Sequence, residues 1–315
     1  MRICWIAGAL VSWSLAAQSP IRGPMLGYVW DSRQESIRPV LGIAGSSTLG
    51  KAVTLDFAVK RSAISPDQDF ALVLGGEERT PYWVDLRTVD AVARRIENTA
   101  DKAERIVLSA RGTAAAILYL EPVKLVVIGG LPLTPEVRRE IDLSVEGPPV
   151  ALAVSDDGAV ALAAYPEAKA LIRIDENANV SRFPEEIVTK GLAFLENSQE
   201  GILASDRGVA LYGADQTLRL IHDSPTAAAV SSSAEGKRVL IAESGNASVV
   251  EVSLDGSEKR AVDCPCAPSS VSRISPGIFR LNEVSQSPLW LVEVQESGLR
   301  TLFVPPDASS DAEQQ

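Results

Sequence analysis

The stretch that decides the fold is Ala153-Val154-Ser155-Asp156-Asp157-Gly158, which is followed by the apolar run Ala159–Ala164. It reads as a short apolar strand, a polar turn and a second strand rich in Ala, Val and Leu. Ser, Asp and Gly favour tight turns because their side chains bond the local backbone or leave it unhindered. The same unit returns at Ala63–Asp67 with Phe70–Leu74, Val107–Ser109 with Ala115–Leu120, Ala193–Leu195 with Gly201–Ala204, Ala229–Ser231 with Arg238–Ala242, and Val271–Ser275 with Ile278–Leu281.

The repeat has a fixed period. Its turns fall near residues 65, 109, 155, 196, 231 and 274, a mean spacing of about 42 residues, which is the length of a four-stranded propeller blade. A third, apolar strand follows each pair, as at Leu171–Ile174. A more charged fourth strand then follows, as at Leu218–Ile221 and Lys259–Val262, and such a strand suits an edge that faces water. The sequence therefore predicts an all-β protein, a single β-propeller domain over residues 18–304.

The N-terminal part complicates the blade count. Leu26–Asp31 resembles a third strand and Ile37–Leu41 a fourth, but no first pair precedes them. We therefore predict seven blade positions with a truncated first blade; the alternative is six blades plus an N-terminal hairpin. Residues 89–104 also fit a short helical insertion, because apolar residues recur there at helical spacing: Val89, Ala93, Ile96, Ala100 and Ala103.

The turns support a resemblance. Ser65-Pro66-Asp67 and Ser155-Asp156-Asp157-Gly158, with their flanking strands, resemble the turns of bacterial extracytoplasmic propeller-repeat proteins of the YVTN/NHL/WD40-like kind. The resemblance covers roughly residues 26–304 and implies an architecture rather than an activity. The chain lacks the Trp-Asp ending of true WD40 blades. No functional residue is carried over, because the matching positions are turn residues.

Residues 1–17 have the pattern of a signal peptide. Arg2 supplies a basic start, Ile3–Leu15 is an apolar run too short to span a bilayer, and small residues allow cleavage after Ala16 or Ala17. A buried N-terminal strand or an uncleaved anchor is the alternative. With cleavage, we expect an extracytoplasmic protein, periplasmic or secreted, without a membrane span. The polar tail, residues 305–315, is predicted to be disordered.

Charge limits the partners. The chain carries 30 Lys and Arg against 41 Asp and Glu, a formal net charge of −11. A negative body without a basic patch repels a phosphate backbone, so we expect no nucleic-acid partner.

Two loops imitate ligand-binding motifs. Gly45–Ala52 nearly matches a phosphate-binding loop, but Ala52 replaces the hydroxyl residue that would hold Mg²⁺, and the next residues alternate like a strand. We interpret it as a glycine loop between blades. Asp175–Asn179 with Glu186 spaces its oxygen ligands like a calcium loop, but Val180 stands where Gly is required, which favours a hairpin turn.

The remaining candidates are few. Cys264 and Cys266 flank Pro265; in an oxidising compartment they would form a local disulfide, with buried thiols, an intermolecular bridge or a redox or metal role as alternatives. His222, the single histidine, is placed on an outer strand as a surface or packing residue. Trp30, Trp83 and Trp290 are assigned equivalent third-strand positions, which indicates packing between blades.

The sequence assigns no catalytic, cofactor-binding or metal-binding residue. One histidine and no G-x-S-x-G elbow leave no recognisable nucleophile–base pair. The function predicted is therefore a binding or scaffold module for a protein, peptide or glycan, since propellers present loops from every blade on a rigid disc. The alternative is a divalent-metal-dependent lactonase or hydrolase, with Ca²⁺ held by carboxylates in the channel.

Overall fold

The chain forms a seven-bladed β-propeller. The computed structural model describes residues 23–88, 91–285 and 287–306, and these form seven separate antiparallel sheets, six of four strands and one of three. The signal-peptide prediction, and the predicted tail beyond residue 306, lie outside the described residues. Within the described part of the chain, no helix is long and apolar enough to cross a membrane.

Blade 1 consists of β1 (Met25–Asp31), β2 (Ser36–Ile43) and β3 (Ser46–Leu49). Blade 2 consists of β4 (Val59–Ile64), β5 (Phe70–Gly75), β6 (Thr80–Asp85) and β7 (Val92–Arg95), and blade 3 of β8 (Ala103–Leu108), β9 (Ala115–Leu120), β10 (Val123–Gly129) and β11 (Glu136–Asp142). Blade 4 consists of β12 (Ala151–Val154), β13 (Ala161–Tyr165), β14 (Ala170–Ile174) and β15 (Val180–Arg182), and blade 5 of β16 (Thr189–Phe194), β17 (Gly201–Ser205), β18 (Gly208–Tyr212) and β19 (Leu218–His222). Blade 6 consists of β20 (Ala227–Ser233), β21 (Arg238–Glu243), β22 (Ser248–Ser253) and β23 (Lys259–Asp263), with a 3₁₀ turn at Ala234–Gly236, and blade 7 of β24 (Ser272–Ser275), β25 (Ile278–Arg280), β26 (Leu289–Gln295) and β27 (Gly298–Val304).

The core lies between the blades. The second and third strands of blades 2 to 6 are buried along almost their whole length, whereas outer strands such as β11 alternate between exposed and buried residues. Each hydrophobic cluster joins two neighbouring blades; one packs Val127 of blade 3 against Leu152 and Ala163 of blade 4. Burial on both faces explains why the middle strands read as continuous apolar runs.

The repeated turn is built by its own side chains. In blade 4, Ser155 Oγ donates to Asp157 Oδ1 at 2.6 Å and accepts from the backbone N–H of Val160 at 2.9 Å. Gly158 follows with φ +69°, a conformation that Gly adopts without steric cost. Seven-blade architecture with a truncated first blade, as predicted from the repeat, is confirmed.

The strand assignment inside blade 1 was wrong by one position. β1 runs opposite to β4: Trp30, late in β1, donates from Nε1 to the carbonyl of Val59 at the start of β4 (3.0 Å), whereas the N–H of Tyr28 bonds Gln68, which lies after β4. At the periphery, β3 packs beside β27, the outermost strand of blade 7. The three strands therefore correspond to the second, third and fourth strands of the other blades, and the described residues of blade 1 include no innermost strand.

A buried ion pair holds blade 1 together. Arg38 Nη1 lies 3.0 Å from Asp31 Oδ2, and Arg38 Nε donates to the carbonyl of Gly50 at 2.8 Å. Asp31 is fully buried and also accepts from the backbone N–H of Arg33 at 3.0 Å. The pair connects the ends of all three strands, since these groups belong to β1, β2 and the residue after β3.

The predicted helix at residues 89–104 was also wrong. Its described part forms β7, a turn, and the start of β8. β7 pairs with β6 (Trp83 opposite Arg94), and Ile96 and Ala103 enter the core between blades 2 and 3. The segment forms a strand because it pairs with β6, a contact that the helical spacing of its own residues does not reveal.

Candidate functional site: the central channel

The innermost strands surround a channel of about 410 Å³. This volume falls within the range of small-molecule and peptide sites, about 300–1,000 Å³. Six sides of its wall are the innermost strands of blades 2 to 7, and the seventh is β1. The wall residues are mostly small or apolar, including Ala63, Val107, Ala153, Ala193, Val230 and Val271.

The channel wall contains an open strand edge at β1. Within the described residues, β1 pairs with β2 alone. Ladder bonds alternate along an antiparallel strand, and the backbone N–H of Tyr28 bonds the Gln68 side chain rather than β2. Trp30, two residues further, therefore also turns its N–H and C=O away from β2 and towards the channel.

Gln68 occupies one end of the vacant strand position. Its Oε1 accepts from the N–H of Tyr28 at 2.6 Å, and its Nε2 donates to the carbonyls of Ser65 (3.0 Å) and Arg273 (3.3 Å). One side-chain amide thus joins blade 1, blade 2 and blade 7. We call this the Gln68 clasp.

Gly27 of β1 lets the clasp form. A Cβ at Gly27 would stand 2.2 Å from the carbonyl oxygen of Ile274 in β24 and 2.8 Å from Gln68 Oε1. The residue also has φ +152°, a conformation that side chains rarely adopt. Close backbone approach at this point requires glycine.

Three charged residues line the channel: Arg273, Arg280 and Glu283. Arg280 Nη1 lies 2.8 Å from Glu283 Oε2. Arg273 of blade 7 pairs with Glu196 of blade 5, so this ion pair joins two blades that are not neighbours in the ring. The exposed Arg61 lies outside the channel lining, in a surface pocket with Glu35, Glu77 and Glu104, and its guanidinium is 5.6 Å from the centre of the Trp30 ring, a cation–π distance.

The turns after the innermost strands are joined to one another. The backbone N–H groups of Arg111 and Asn197 both bond the carboxylate of Asp156, each at 2.7 Å, and Arg111 Nη1 donates to Asn197 Oδ1 at 2.8 Å. These contacts join blades 3, 4 and 5 across this face of the disc. The channel mouth on this side is consequently framed by fixed side chains.

The two motif-like loops lie away from the channel. Gly45, in the Gly45–Ala52 loop, forms the turn between β2 and β3, and residues 46–49 are strand, so this stretch opens no helix that could cradle phosphate. The predicted inter-blade loop is therefore only its last part. Asp175 Oδ1 accepts from the N–H groups of Asn177 (2.9 Å) and Asn179 (2.8 Å), so its carboxylate caps the predicted hairpin turn. Glu186 pairs instead with Lys169, at 3.2 Å.

His222 is buried rather than exposed. It ends β19, an outer strand as predicted, and its Nε2 lies 2.9 Å from Glu243 Oε1. Burial alone would raise the pKa of Glu243, but hydrogen bonds from Ser224, His222, Asn246 and Ser248 outweigh it and hold the pKa at about 2. This polar cluster joins blade 5 to blade 6 at the periphery, so His222 packs rather than reaching the channel.

The structure places the two remaining cysteines in a disulfide and the three tryptophans of the described residues in two different kinds of strand. A disulfide joins Cys264 and Cys266, with the Cα atoms 5.0 Å apart, just after β23. Trp83 and Trp290 lie in the third strands of blades 2 and 7. Trp30 does not share their position, because β1 is a second strand, and it lines the channel instead.

The described residues that line the channel include no His, Cys or Asp. Among the described residues, no three His, Cys, Asp or Glu side chains come together in a way that could hold a metal ion. The two arginines of the channel lining, Arg273 and Arg280, are each paired with a carboxylate, that of Glu196 and that of Glu283. Sequence reasoning missed Tyr28 and Gln68 and assigned Trp30 to packing between blades; the one available signal was that the sequence repeat predicts no first pair of strands before Leu26–Asp31.

Comparisons with known proteins show similarity in fold only. No family model matches the chain, and no curated protein matches it. Among solved structures, a protein of unknown function from Desulfotomaculum acetoxidans is 12% identical with a TM-score of 0.59, covering 89% of this chain and 100% of that one. Hydrazine synthase from Kuenenia stuttgartiensis is 14% identical with a TM-score of 0.52, covering 96% of this chain and 100% of that one.

A third similar structure is virginiamycin B lyase from Staphylococcus aureus. It is 14% identical with a TM-score of 0.52, covering 86% of this chain and 91% of that one. A histidine-to-alanine variant of the lyase, crystallised with quinupristin, is described as catalytically inactive. Identity this low indicates a shared propeller fold and leaves activity undetermined.

Proposed function

We propose that this chain is an extracytoplasmic binding propeller of the YVTN/NHL/WD40-like kind, which takes a protein, peptide or glycan ligand into its central channel. The observation that supports the proposal is that β1 lines the channel and, among the described residues, pairs with β2 alone, so that no described strand pairs with its other edge. Unpaired backbone donors and acceptors in a wall that is otherwise apolar are the groups that fix a ligand's orientation.

The contacts of the histidine and of the channel arginines also favour binding over catalysis. His222 is hydrogen-bonded to Glu243 at the periphery of the propeller. The channel arginines Arg273 and Arg280 are each paired with a carboxylate. Paired, partly buried charges of this kind position a ligand, whereas a nucleophile needs an adjacent base.

The test is a ligand screen with a blocked-channel variant. The processed protein is screened against a displayed random-peptide library and a glycan array, and hits are measured by calorimetry. Ser231→Trp places an indole in the channel wall, and Ser297→Trp places one on the exposed β26–β27 turn as the matched control. We expect Ser231→Trp alone to abolish binding. Ligands that bind both variants equally, or turnover of a lactone or phosphate ester by the purified protein, would refute the proposal.

A further inference from the structure

We infer that the channel binds the free C-terminus of a peptide, with the terminal carboxylate held by Arg273 and Ser232 and the last apolar side chains packed against the channel wall. The inference rests on the proposed function and specifies its ligand. Three features of the described residues carry it: an ion pair whose cation alone faces the channel, a channel that narrows at this ion pair, and an apolar wall that leads to it.

The ion pair between Arg273 and Glu196 presents its positive side to the channel. Arg273 lines the channel and its side chain is 21% exposed, whereas Glu196 is not part of the lining and its side chain is 7% exposed. A guanidinium carries five N–H donors, and the one hydrogen bond that Arg273 donates to a described residue goes from Nη2 to Glu196. By contrast, Arg280 pairs with Glu283, and both of these residues line the channel. An anion in the channel therefore finds its unshielded donors at Arg273.

Ser232 adds a hydroxyl donor beside Arg273. It lines the channel, is only 4% exposed, and accepts through Oγ from the backbone N–H of Glu196 at 3.3 Å. Among the described residues its own hydroxyl proton has no acceptor. Arg273 and Ser232 bond the side chain and the backbone of the same residue, so their donors lie close together. A carboxylate at this point would accept from both groups.

The channel is narrower at this end. Arg273 and Glu196 join blade 7 to blade 5, and Arg111 and Asn197 join blade 3 to blade 5. A contact between blades that are not neighbours cuts across the rim of the ring, so these two pairs narrow the channel where the innermost strands end. A narrow end accepts the terminus of a chain more readily than its middle. A cation at that end selects the carboxylate terminus over the ammonium terminus.

The wall that leads to Arg273 sets the rest of the ligand. The innermost strands line it with small and aliphatic side chains: Ala63, Val107, Ala153, Ala193, Val230 and Val271. These strands contain four to seven residues, and four residues of extended chain span about 13 Å. Apolar side chains bury their surface against such a wall, whereas the ring hydroxyls of a sugar lose hydrogen bonds to water there. The ligand is thus a peptide whose last residues, about four, are apolar.

The probe consists of two matched libraries of acetylated tetrapeptides. Every position holds Ala, Val, Leu or Phe; one library ends in a free carboxylate and the other in an amide. Equilibrium dialysis against the purified full chain, read by mass spectrometry, identifies the retained peptides, and calorimetry measures the best acid and the amide of the same sequence. We expect the amide to bind about tenfold more weakly, because it lacks the charged acceptor for Arg273.

Variants of one ion pair assign this preference to Arg273. Glu196→Gln removes the carboxylate that competes for the guanidinium, so the acid should bind about tenfold more tightly and the amide as before. The double variant Arg273→Gln/Glu196→Gln leaves no unpaired buried charge, and we expect it to bind acid and amide equally. The matched control is Arg300→Gln/Glu293→Gln, which removes an ion pair of blade 7 outside the channel lining and should keep the preference. A gain of affinity in Glu196→Gln cannot come from misfolding, so the test does not depend on the double variant alone.

Each other outcome has a defined meaning. If acids and amides bind alike and Ser231→Trp blocks both, the C-terminus inference is wrong and channel binding stands. A preference for acids that persists in the double variant, or a Glu196→Gln variant that binds acids no more tightly, also overturns it. Glycans that bind in a Ser231→Trp-sensitive manner, with neither peptide library retained, sink the inference and spare the proposed function. If Ser231→Trp blocks no protein, peptide or glycan ligand, both are wrong.

Discussion

Replacing Gln68 by Ala should open the ring at the junction of its first and last blades. The substitution removes three hydrogen bonds, with lengths of 2.6, 3.0 and 3.3 Å. Each is worth about 0.5–1.5 kcal/mol, and the N–H of Tyr28, in a residue only 5% exposed, is left without its partner. We therefore expect a loss of about 2–4 kcal/mol in the free energy of unfolding.

The matched control is Gln216→Ala. Gln68 and Gln216 have nearly the same backbone conformation, φ +62° and +61°, so the strain of placing Ala there is equal in both variants. Gln216 lies in the β18–β19 turn, and its side chain joins no neighbouring blade. Urea denaturation followed by tryptophan fluorescence measures both variants. A difference below about 0.5 kcal/mol between them would show that the clasp does not hold the ring.

Three further predictions test other parts of the structure. Gly27→Ala should destabilise the fold far more than Gly298→Ala, because both residues have similar φ angles (+152° and +147°) but only Gly27 faces the backbone of β24; equal melting temperatures would contradict the close approach. Glu243 has a lowered pKa of about 2, so its stabilisation is complete above its ordinary pKa of 4.5 and is lost as the pH falls towards 2. The stability gap between the protein and Glu243→Gln should thus be constant from neutral pH to 5 and shrink by up to about 3 kcal/mol below it, and a gap independent of pH would argue against an ionised Glu243. Cys264 and Cys266 should be joined in protein that is produced without reducing agent, so that the intact mass lies two hydrogen masses below that of the reduced chain; thiol reagents that label both without prior reduction would exclude the bond.

The sequence predicts the turns correctly where the side chains of a turn form hydrogen bonds within that same turn. Ser155 and Asp157 satisfy the backbone of their own turn, and the same residue types mark the repeat elsewhere. The period of these turns was therefore sufficient to predict the propeller and its incomplete first blade. The outer strands could also be predicted from the sequence, because one face of each is exposed to water and carries charged residues.

Features that depend on distant neighbours were not predictable. The direction and place of β1 depend on β4 and β24, which lie far along the chain, so an apolar run alone gave the wrong strand number. Gln68 reads as an ordinary turn residue, and only the folded ring brings it to Tyr28 and Arg273. His222 reads as a surface or packing residue on an outer strand; which of the two it is depends on its carboxylate partner, Glu243, which belongs to the next blade.

The closure of the ring and the proposed binding site are the same feature of the molecule. Many-bladed rings need a junction between their ends, and here no strand is exchanged: Val29 and Val40 of blade 1 pack against Leu302 and Val304 of blade 7, and the Gln68 clasp completes the joint. Tyr28 and Gln68, which form the clasp, also line the channel. A substitution that weakens the junction between the first and last blades therefore also alters the wall of the channel.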